Sequence, residues 1–577
     1  MTAPRPSLAA GPTDVPLLDE TIGANLARAV AAHPGREALV DVASGRRWTY
    51  AAFGRAVEQV ALGLLARGVA AGDRVGIWAV NRPEWVLVQY ATARVGAVMV
   101  TVNPAYRVHE LEYVLNQSGV SLLFTQTAHR GSAYRGMVEE VRPRRPALRG
   151  AVMVDDAYRG MVEEVRPRRP ALRGAVMVDD ASWQGLLDDG AGVDPTALAA
   201  REAGLDCDDP VNIQYTSGTT GFPKGATLSH RNILNNGFWV GELLGYTEQD
   251  RICVPVPFHH CFGMVMGNLA ATSHGACVVV PAPAFDPAAT LRAVASERCT
   301  SLYGVPTMFI AELNLPDFAA YDLTSLRTGV MAGSPCPVEV MRRVVADMDM
   351  GEVAICYGMT ETSPVSLQTR RDDDLERRTA TVGRVLPHLD VRVADPATGA
   401  TVPRGEPGEL CTRGYSVMLG YWDDPERTAE VVDADRWMHT GDLAVMREDG
   451  CVAIVGRIKD MVIRGGENVY PREVEEFLHT HPAVADVQVV GVPDERYGEE
   501  VCAVVVLRDP DASLTAEDVA DFCRGRLAHC KVPRYVRVVR EFPMTVSGKV
   551  RKVELRERAA RELGLRRTGA GEDLGPR

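Results

Sequence analysis

Short apolar runs recur along the first two thirds of this 577-residue chain, and helix-like stretches separate them. They read RVGIWA, GAVMVTV, SLLFT, GACVVV, TSLYGV and EVAICYG. A strand that is apolar at every position, rather than at alternate positions, must be covered on both faces. That is the situation of a parallel strand lying between two layers of helices. The pattern therefore predicts an α/β fold, and it restricts the chain more than its composition does.

The pattern of the sequence changes after Thr379. Short strand-like segments separated by Gly and Pro turns follow, and they predict a β-rich subdomain. Beyond Arg457, helix-like segments such as PREVEEFLHTHP alternate with strand-like segments such as VCAVVVLR. We therefore expect a large N-terminal domain, made of two α/β subdomains plus the β-rich subdomain, and a small C-terminal α+β domain.

A 24-residue segment occurs twice in tandem without a single difference, at 133–156 and at 157–180. Solenoid repeats drift in sequence and number at least three copies, so this is not a repeat architecture. Each copy holds one helix-like portion and one strand-like portion. We expect the sheet to use one helix and one strand of the pair, which makes one copy dispensable.

Bulk properties exclude several classes of protein. The net charge of −13 argues against general nucleic-acid binding, which needs a basic excess. Twelve cysteines without CxxC pairs favour reduced thiols in the cytoplasm. The N-terminal residues lack the apolar segment of a signal peptide, and no apolar run is long enough to cross a membrane.

The strongest local motif is TSGTTGFPKG, which follows the apolar run VNIQY. Gly turns rich in hydroxyl groups after a strand can present N–H and O–H donors to an anion, and Lys224 adds a positive charge. The motif is not a Walker loop, because no Gly-Lys-Ser/Thr is present. A flexible surface loop is the alternative, but the lysine and the preceding strand favour a phosphate site.

At this point the chain resembles the acyl-adenylate-forming superfamily, which includes acyl-CoA synthetases, adenylation domains of peptide synthetases and beetle luciferases. Five motifs in order carry the resemblance: TSGTTGFPKG, YGMTETSP, HTGDLA, GRIKDMVIRGGENVYPREVE and PMTVSGKVRK. The resemblance covers about residues 21–563. IRGGENVYPREVEEFLHTHP and PVPFHHCFGM are most similar to the medium-chain fatty acyl-CoA synthetases.

The resemblance implies a set of ATP-binding residues. The phosphate loop is Thr216, Ser217, Gly218, Thr219, Thr220, Gly221 and Lys224. The adenine would contact Gly333, Ser334, Tyr357 and Gly358, while Asp442 and Arg457 would hold the ribose. Thr360 would touch the α-phosphate, and Glu361 would bind Mg²⁺, which prefers oxygen ligands. Taken singly, Glu361 could be a solvated carboxylate, and Asp442 could be a turn residue beside Gly441.

The family also suggests which residues act on the acid and on the thiol. Lys549 would bridge the attacking carboxylate and the α-phosphate, and His260 would lie beside the substrate carboxylate, although it could equally be a core residue. The resemblance implies a hinge at 458–459 that includes Lys459, and a loop, Gly465 and Gly466, beside the pantetheine of coenzyme A. We expect the following organisation: disordered tails over 1–20 and 564–577, an N-terminal domain over 21–457 and a mobile C-terminal lid domain over 460–563.

These expectations describe an AMP-forming acid–thiol ligase that uses ATP, Mg²⁺ and coenzyme A on a carboxylic acid, in the medium-chain fatty acid class. Two apolar stretches, 262–271 and 303–309, could wall an acyl tunnel or belong to the ordinary core. The alternatives are an acyl-AMP ligase that loads a free-standing carrier protein, an aryl-CoA ligase, a luciferase-like oxygenase and a non-catalytic nucleotide-binding protein. The last of these would be expected to lack Lys549 or Glu361, and both are present.

Overall fold

The computed structural model of the chain describes residues 4–129, 131–141, 174–216, 223–334, 336–465, 467–544 and 550–565. These residues form two compact units. The larger unit consists of 10–391 and 412–438. The smaller unit consists of the described residues among 1–9, 392–411 and 439–577.

Twenty-six strands occur in the described residues. They are β1 Leu8–Ala10, β2 Glu37–Asp41, β3 Arg46–Thr49, β4 Arg74–Trp78, β5 Val98–Thr101, β6 Leu122–Thr125, β7 Gly174–Met177, β8 Pro210–Thr216, β9 Lys224–Ser229, β10 Arg251–Cys253, β11 Cys277–Val280, β12 Ser301–Gly304, β13 Thr328–Ala332, β14 Glu352–Gly358, β15 Val365–Gln368, β16 Arg384–Val385, β17 Leu389–Ala394, β18 Pro407–Gly414, β19 Gly420–Tyr421, β20 Met438–Met446, β21 Val452–Arg457, β22 Val462–Arg464, β23 Glu467–Val469, β24 Val484–Asp494, β25 Gly498–Leu507 and β26 Tyr535–Val538.

The helices are amphipathic or buried segments that cover these strands. The α-helices span Ile22–Ala32, Tyr50–Ala66, Pro83–Arg94, Val108–Ser118, Tyr134–Val141, Ala181–Gly190, Pro195–Glu202, His230–Leu244, Ala270–Ser273, Pro287–Glu297, Pro306–Leu313, Val338–Asp347, Leu375–Ala380, Pro425–Val431, Pro471–Leu478, Ala516–Cys523 and Lys552–Glu562. A π-helix spans Phe262–Leu269. Within the described ranges, no helix combines the length and the apolar character that crossing a bilayer requires.

Two sheets, most of whose strands are parallel, form the larger unit. One has the strand order β19-β9-β8-β5-β4-β6-β7, and the other has the order β16-β15-β14-β13-β12-β10-β11-β2-β3. Strand β4 pairs in parallel with both β5 and β6, and its Val75, Ile77 and Trp78 are buried. The apolar runs of the sequence are therefore strands covered on both faces, and the predicted α/β fold is confirmed.

The smaller unit is built around antiparallel strands. One sheet, which lies mainly in this unit, has the order β1-β17-β18-β20-β21, and the other has the order β23-β22-β25-β24 with β26 beside β25. Strands β24 and β25 form a long antiparallel pair. Val487, Val489, Val501 and Val505 of this pair are buried in one core cluster with Leu478 of the helix Pro471–Leu478. The α+β character expected of the C-terminal part is observed.

The N-terminal segment differs from the expected disordered tail. Leu8–Ala10 forms β1 at the edge of a sheet, next to β17. Ser7 donates its N–H to the carbonyl of Val402 at 2.8 Å and accepts from the N–H of Val393 at 2.8 Å. A sheet edge offers a row of unpaired backbone groups, so a Pro-rich segment can be ordered by pairing there. This pairing is invisible in the local composition on which the prediction was based.

The exact repeat contributes elements from both of its copies. The helix Tyr134–Val141 comes from the first copy, and β7 comes from the second. Tyr134, Val138 and Val141 of the helix are buried in one cluster with Trp78 of β4. Strand β7 pairs in parallel with β6, so its place at the sheet edge is filled by the second copy. The remaining repeated residues, 142–173, lie outside the described residues.

Deleting residues 157–180 is expected to leave the enzyme folded and active. The deletion removes β7, whose place the identical residues 150–153 of the first copy would take. The connection from the helix Tyr134–Val141 to the strand then shortens from 32 to 8 residues. Two halvings of a loop lower the closure cost by about 1.2 kcal/mol. We expect pyrophosphate exchange within about twofold of the parent and an unchanged or higher midpoint of thermal unfolding. A large loss of either would mean that both copies are integrated in the fold.

Two double variants test which residues of the two repeat copies the fold uses. Val138→Asp with Val176→Asp places charges in the described helix and strand, where both valines are buried. The undamaged copies then stand in the wrong order, strand before helix, so they cannot replace the pair. Val152→Asp with Val162→Asp makes the same changes in the duplicate positions. We expect the first pair to abolish soluble folding and the second to keep a parental unfolding midpoint; equal effects would contradict this use of the repeat.

Candidate active site

The carboxyl ends of three neighbouring parallel strands, β12, β13 and β14, meet at one edge of the nine-stranded sheet. Gly333 and Ser334 directly follow β13, whereas Tyr357 and Gly358 end β14. The register pairs Ala332 with Cys356, so Gly333 comes next to Tyr357. Open α/β sheets bind their ligands at such an edge. The structure thus brings together the residues expected around an adenine.

Two glycines at this edge cannot carry a side chain. Gly333 has φ of +93°, a backbone conformation that other residues rarely adopt. A Cβ on Gly358 would lie 1.8 Å from the carbonyl oxygen of Pro364. The absence of both side chains keeps the backbone at the ends of β13 and β14 bare.

The side chain of Gln214 on β8 connects the expected catalytic segments. Its Oε1 accepts hydrogen bonds from the backbone N–H of Cys261 at 3.1 Å, the Sγ of Cys261 at 2.7 Å and the Oγ1 of Thr360 at 3.4 Å. Its Nε2 donates to the carbonyl of His259 at 3.3 Å. All of these atoms belong to the larger unit, and Gln214 is buried. Thr360 is therefore held in a set position. Gln214 is not among the residues predicted from the sequence, although a polar residue in the apolar run VNIQY was a signal.

Glu361 is a buried carboxylate beside an aromatic hydroxyl. The Tyr421 hydroxyl donates to its Oε1 at 2.8 Å, and the Nζ of Lys224 lies 5.0 Å from the centroid of the Tyr421 ring. Burial raises the pKa of Tyr421 well above its usual value, and the nearby Glu361 carboxylate is the second cause of this shift. A tyrosine hydroxyl is protonated at neutral pH even without this shift, so Tyr421 is a donor. Its signal in sequence is weak, since GYWDD matches none of the five motifs.

The surroundings of Glu361 fit a divalent cation. Glu361 is 5% exposed, and among the described residues no cationic side chain forms a salt bridge with it. An uncompensated buried carboxylate is costly, so a counterion would relieve it. Mg²⁺ is commonly bound by one or two carboxylates together with substrate phosphates and water. Glu361 would hold the ion, which would neutralise phosphate charge there.

The phosphate loop is described only at its two ends. Thr216 and Lys224 are opposite each other in the antiparallel pair of β8 and β9. The predicted residues Ser217, Gly218, Thr219, Thr220 and Gly221 lie outside the described residues, as do Gly466 and Lys549. Their roles stay predictions.

His260 lies two residues before the start of a buried π-helix. Its Nδ1 accepts a hydrogen bond from the N–H of Phe262 at 3.1 Å, so the neutral ring carries its proton on Nε2. Burial lowers the pKa of the neighbouring His259 to about 4. Every residue of the π-helix Phe262–Leu269 is buried, and the rings of Phe262 and Tyr303 lie 5.6 Å apart. π-Helical turns are frequent at functional sites, and the acyl-tunnel role of this segment stays a prediction.

The smaller unit contains the expected ribose residues. Asp442 of β20 is opposite Arg457 at the end of β21, and the Nε of Arg457 donates to the Oδ1 of Asp442 at 3.0 Å. The Asp442 side chain is 13% exposed, against 60% for Arg457. The pair thus places a carboxylate at a partly open position, with a guanidinium fixing its orientation. Lys459 lies two residues further, in the short 3₁₀ turn Ile458–Asp460.

The turn between β22 and β23 begins at Gly465. Strand residues Arg464 and Glu467 are paired, so the connection has two residues. Gly465 has φ of +59°, as tight hairpin turns require, and its N–H donates to the carbonyl of Tyr497 at 2.8 Å. A Cβ at Gly465 would lie 2.9 Å from the Tyr497 ring. A side chain would therefore crowd this turn.

Comparison with known proteins places this geometry in a family. The sequence profile of the AMP-binding enzymes matches residues 26–422, and the profile of the C-terminal domain of AMP-binding enzymes matches residues 473–549. The chain belongs to the AMP-binding enzyme family. The resemblance inferred from the five motifs is confirmed.

Relatives of the protein match it over nearly all of their length. YngI of Bacillus subtilis (strain 168) is 47% identical over 95% of this chain and 99% of its own. The mitochondrial medium-chain acyl-CoA ligase ACSF2 of Danio rerio is 44% identical over 95% of this chain and 90% of its own. ATP-bound MatB from Rhodopseudomonas palustris superimposes with a TM-score of 0.80 at 30% identity, over 94% of this chain and 99% of MatB.

Removing the Tyr421 hydroxyl tests the role of Glu361. Tyr421→Phe keeps the ring beside Lys224 but removes the hydrogen bond to a charged carboxylate, a bond that contributes about 1.5 kcal/mol. We expect pyrophosphate exchange to fall about tenfold at limiting Mg²⁺, since the carboxylate loses its fixed orientation. Tyr321→Phe, which alters an exposed hydroxyl bonded to Asp317, is the control. Unchanged exchange in Tyr421→Phe over a Mg²⁺ titration would exclude this arrangement as functional.

Proposed function

We propose that the protein is an ATP-dependent fatty acyl-CoA synthetase of the medium-chain class. In the first step a carboxylate oxygen attacks the α-phosphorus of ATP, the bond to the β-phosphate oxygen breaks, and pyrophosphate leaves. In the second step the sulfur of coenzyme A attacks the carbonyl carbon of the acyl-AMP, the thiol proton is lost, and AMP leaves. The observation that carries this proposal is the buried Glu361 with Tyr421 and Lys224, beside a Thr360 held by Gln214.

The chemistry of the first step matches this arrangement. Negative charge grows around the α-phosphorus, and preorganised donors and cations stabilise it. Thr360 offers a hydroxyl whose position Gln214 restricts, and Lys224 offers an ammonium. Mg²⁺ at Glu361 would neutralise the leaving pyrophosphate. His260 would lie near the carboxylate that attacks.

An arginine-containing cavity of the smaller unit supports coenzyme A as the thiol. Its volume is about 1330 Å³, and Arg464, Arg496, Arg524, Arg534 and His529 are among its lining residues. Four acidic residues, Asp494, Glu495, Glu500 and Glu517, line it as well, and Asp494 and Glu500 form salt bridges with Arg534 and Arg464. Arginine guanidinium groups bind phosphates bidentately, so a substrate with several phosphates can compete with these carboxylates. Tyr497, whose carbonyl accepts the N–H of Gly465, also lines the cavity.

Two steps at one acyl group need two arrangements of the enzyme. Lys549 would occupy the approach that the thiol needs, so we propose that residues 460–563 rotate about 458–459 between the steps. Lys549 serves the first step, and the turn at Gly465 and Gly466 serves the second. Names of relatives that specify medium-chain acids support the acyl class. The cytoplasmic location stays a prediction, since several relatives are named mitochondrial, and cell fractionation distinguishes the two locations.

A panel of acids tests the proposed function directly. The purified enzyme receives ATP, Mg²⁺ and short, medium or long unbranched fatty acids or an aromatic acid, with and without coenzyme A. We expect the fastest AMP release with medium-chain acids and coenzyme A, and retention of acyl-AMP without it. AMP release that needs a carrier protein instead would favour the carrier-loading alternative, and preference for the aromatic acid would favour an aryl-CoA ligase.

Two variants separate the half-reactions. Lys549→Ala should weaken adenylation by about 3–4 kcal/mol, because it removes a charge that stabilises the transition state, while thioester formation from supplied acyl-AMP survives. Gly466→Leu should do the reverse, since a bulky side chain would block the thiol. Pyrophosphate exchange measures the first step, and acyl-CoA formation from acyl-AMP measures the second. Equal losses in both assays for either variant would contradict the two-arrangement scheme.

Arg524 and Arg526 form a matched pair for the thiol site. Arg524 lines the cavity and forms a salt bridge with Asp521, whereas Arg526 is exposed near the ring of Phe522 and outside the lining. We expect Arg524→Ala to raise the KM for coenzyme A several-fold and to leave pyrophosphate exchange unchanged, because only the second substrate loses a charge partner. Arg526→Ala should change neither quantity. A normal KM in Arg524→Ala would mean that the cavity does not hold coenzyme A.

A further inference from the structure

Three potential metal ligands converge on two neighbouring strands of the smaller unit. Glu409 and Cys411 occupy alternate positions of β18, so their side chains share a face, and His439 is on the adjacent β20. The Nδ1 of His439 lies 2.8 Å from Glu409 Oε2 and 3.6 Å from Cys411 Sγ. All three donor atoms lie within 4.8 Å of one another. Carboxylate, thiol and imidazole are together the ligand types of zinc sites.

The spacing of the donor atoms fits a tetrahedral ion. Zn–S and Zn–N bonds of about 2.3 Å and 2.0 Å place the sulfur and nitrogen of two ligands about 3.5 Å apart. The Sγ of Cys411 and the Nδ1 of His439 are already at 3.6 Å. A carboxylate oxygen should lie about 3.3 Å from the nitrogen, so Glu409 would open from its present hydrogen bond by about half an ångström. A small rotation of one carboxylate completes three ligands.

We propose that Glu409, Cys411 and His439 form a binding site for Zn²⁺ or a chemically similar divalent ion. Cys411 is buried, but the side chains of Glu409 and His439 are 13% and 29% exposed, so the cluster is partly open to solvent, which would supply the fourth ligand. Binding would release the Cys411 thiol proton to solvent. The proton on Nδ1 of His439, which now faces the Glu409 carboxylate, would also leave by exchange with solvent, so that the neutral ring keeps its proton on Nε2 and binds the ion through Nδ1. Neither the proposed synthetase activity nor the Glu361 site requires this ion.

Occupancy would brace the part of β20 that precedes Asp442. Glu409 uses its other oxygen, Oε1, to accept the N–H of Gly441 at 3.0 Å, and the Oγ1 of Thr440 donates to the carbonyl of Leu410 at 2.7 Å. The ion would therefore cross-link β18 and β20 beside Thr440 and Gly441. A ligand that binds only the folded state stabilises it. The ion would raise the resistance of the protein to unfolding.

A second cluster provides an internal control. Asp206, Cys207 and Asp208 also bring three donor atoms together, but they are consecutive residues of an exposed turn and include no imidazole. The exposed carboxylates there are solvated, and water competes for the ion. Thiolate ligation at Cys411 can thus be distinguished from ligation at Cys207 by replacing one cysteine at a time.

Titration of the chelator-treated, full-length enzyme with Co²⁺ tests the site. We expect one equivalent to produce a thiolate-to-cobalt charge-transfer band in the near ultraviolet, which Zn²⁺ abolishes by displacement. Loss of outer-shell partners alone lowers metal affinity about 10–100-fold, so Cys411→Ala should lower it at least about a hundredfold. Cys207→Ala should keep the band, and Zn²⁺ should raise the unfolding midpoint of the parent and of Cys207→Ala but not of Cys411→Ala.

A second variant covers the case in which Cys411→Ala does not fold. Glu409→Gln keeps an oxygen for the N–H of Gly441 but removes the anionic ligand, and it should weaken Co²⁺ binding while the unfolding midpoint without metal changes little. Absence of the charge-transfer band in the parent would overturn the proposal. Loss of the band in Cys207→Ala but not in Cys411→Ala would overturn it too, as would an unchanged Co²⁺ affinity in Glu409→Gln.

Discussion

The buried amide of Gln214 connects the two sheets of the larger unit at the candidate active site. It extends from a strand of the seven-stranded sheet, and its oxygen binds Thr360, which follows a strand of the nine-stranded sheet. The same oxygen accepts from Cys261, at the start of the π-helix. A buried amide is costly unless its partners are in place, so the hydrogen bonds that satisfy it also set the relative positions of these segments.

The constraint explains why a site forms at that edge of the sheet. Parallel strands buried on both faces leave their polar groups to the loops at the carboxyl ends. Gly333 and Gly358 allow bare backbone there, and Thr360 and Glu361 follow at once. Tyr421 reaches Glu361 from a segment about sixty residues further along the chain. The chemical groups are thus carried by loops, while the strands determine which loops meet.

The sequence predicted the strands and the motif residues because both depend on local patterns. All-apolar runs identified β4, β5, β6 and their neighbours, and the family resemblance of YGMTETSP singled out Tyr357 and Thr360. Gln214 and Tyr421 were missed, because their partners are more than forty residues away and no local pattern encodes such contacts. The N-terminal strand was missed for the same reason: its hydrogen bonds are made to residues near 390 and 400. Whether such a segment is ordered depends on long-range strand pairing, which local composition does not reveal.

The exact repeat has a consequence for how this chain will change over generations. One helix and one strand position are filled by letters from different copies, the helix Tyr134–Val141 from the first and β7 from the second. Selection for correct packing then acts on only one copy of the helix sequence and one copy of the strand sequence, although the chain contains two of each. The duplicate letters at 150–153 and 158–165 are free to accumulate substitutions. Homologous recombination between the copies can also remove 24 residues in one event without altering the reading frame. The perfect identity of the two copies is therefore a transient genetic state, and descendants should show either a shorter chain or two copies that have diverged unequally.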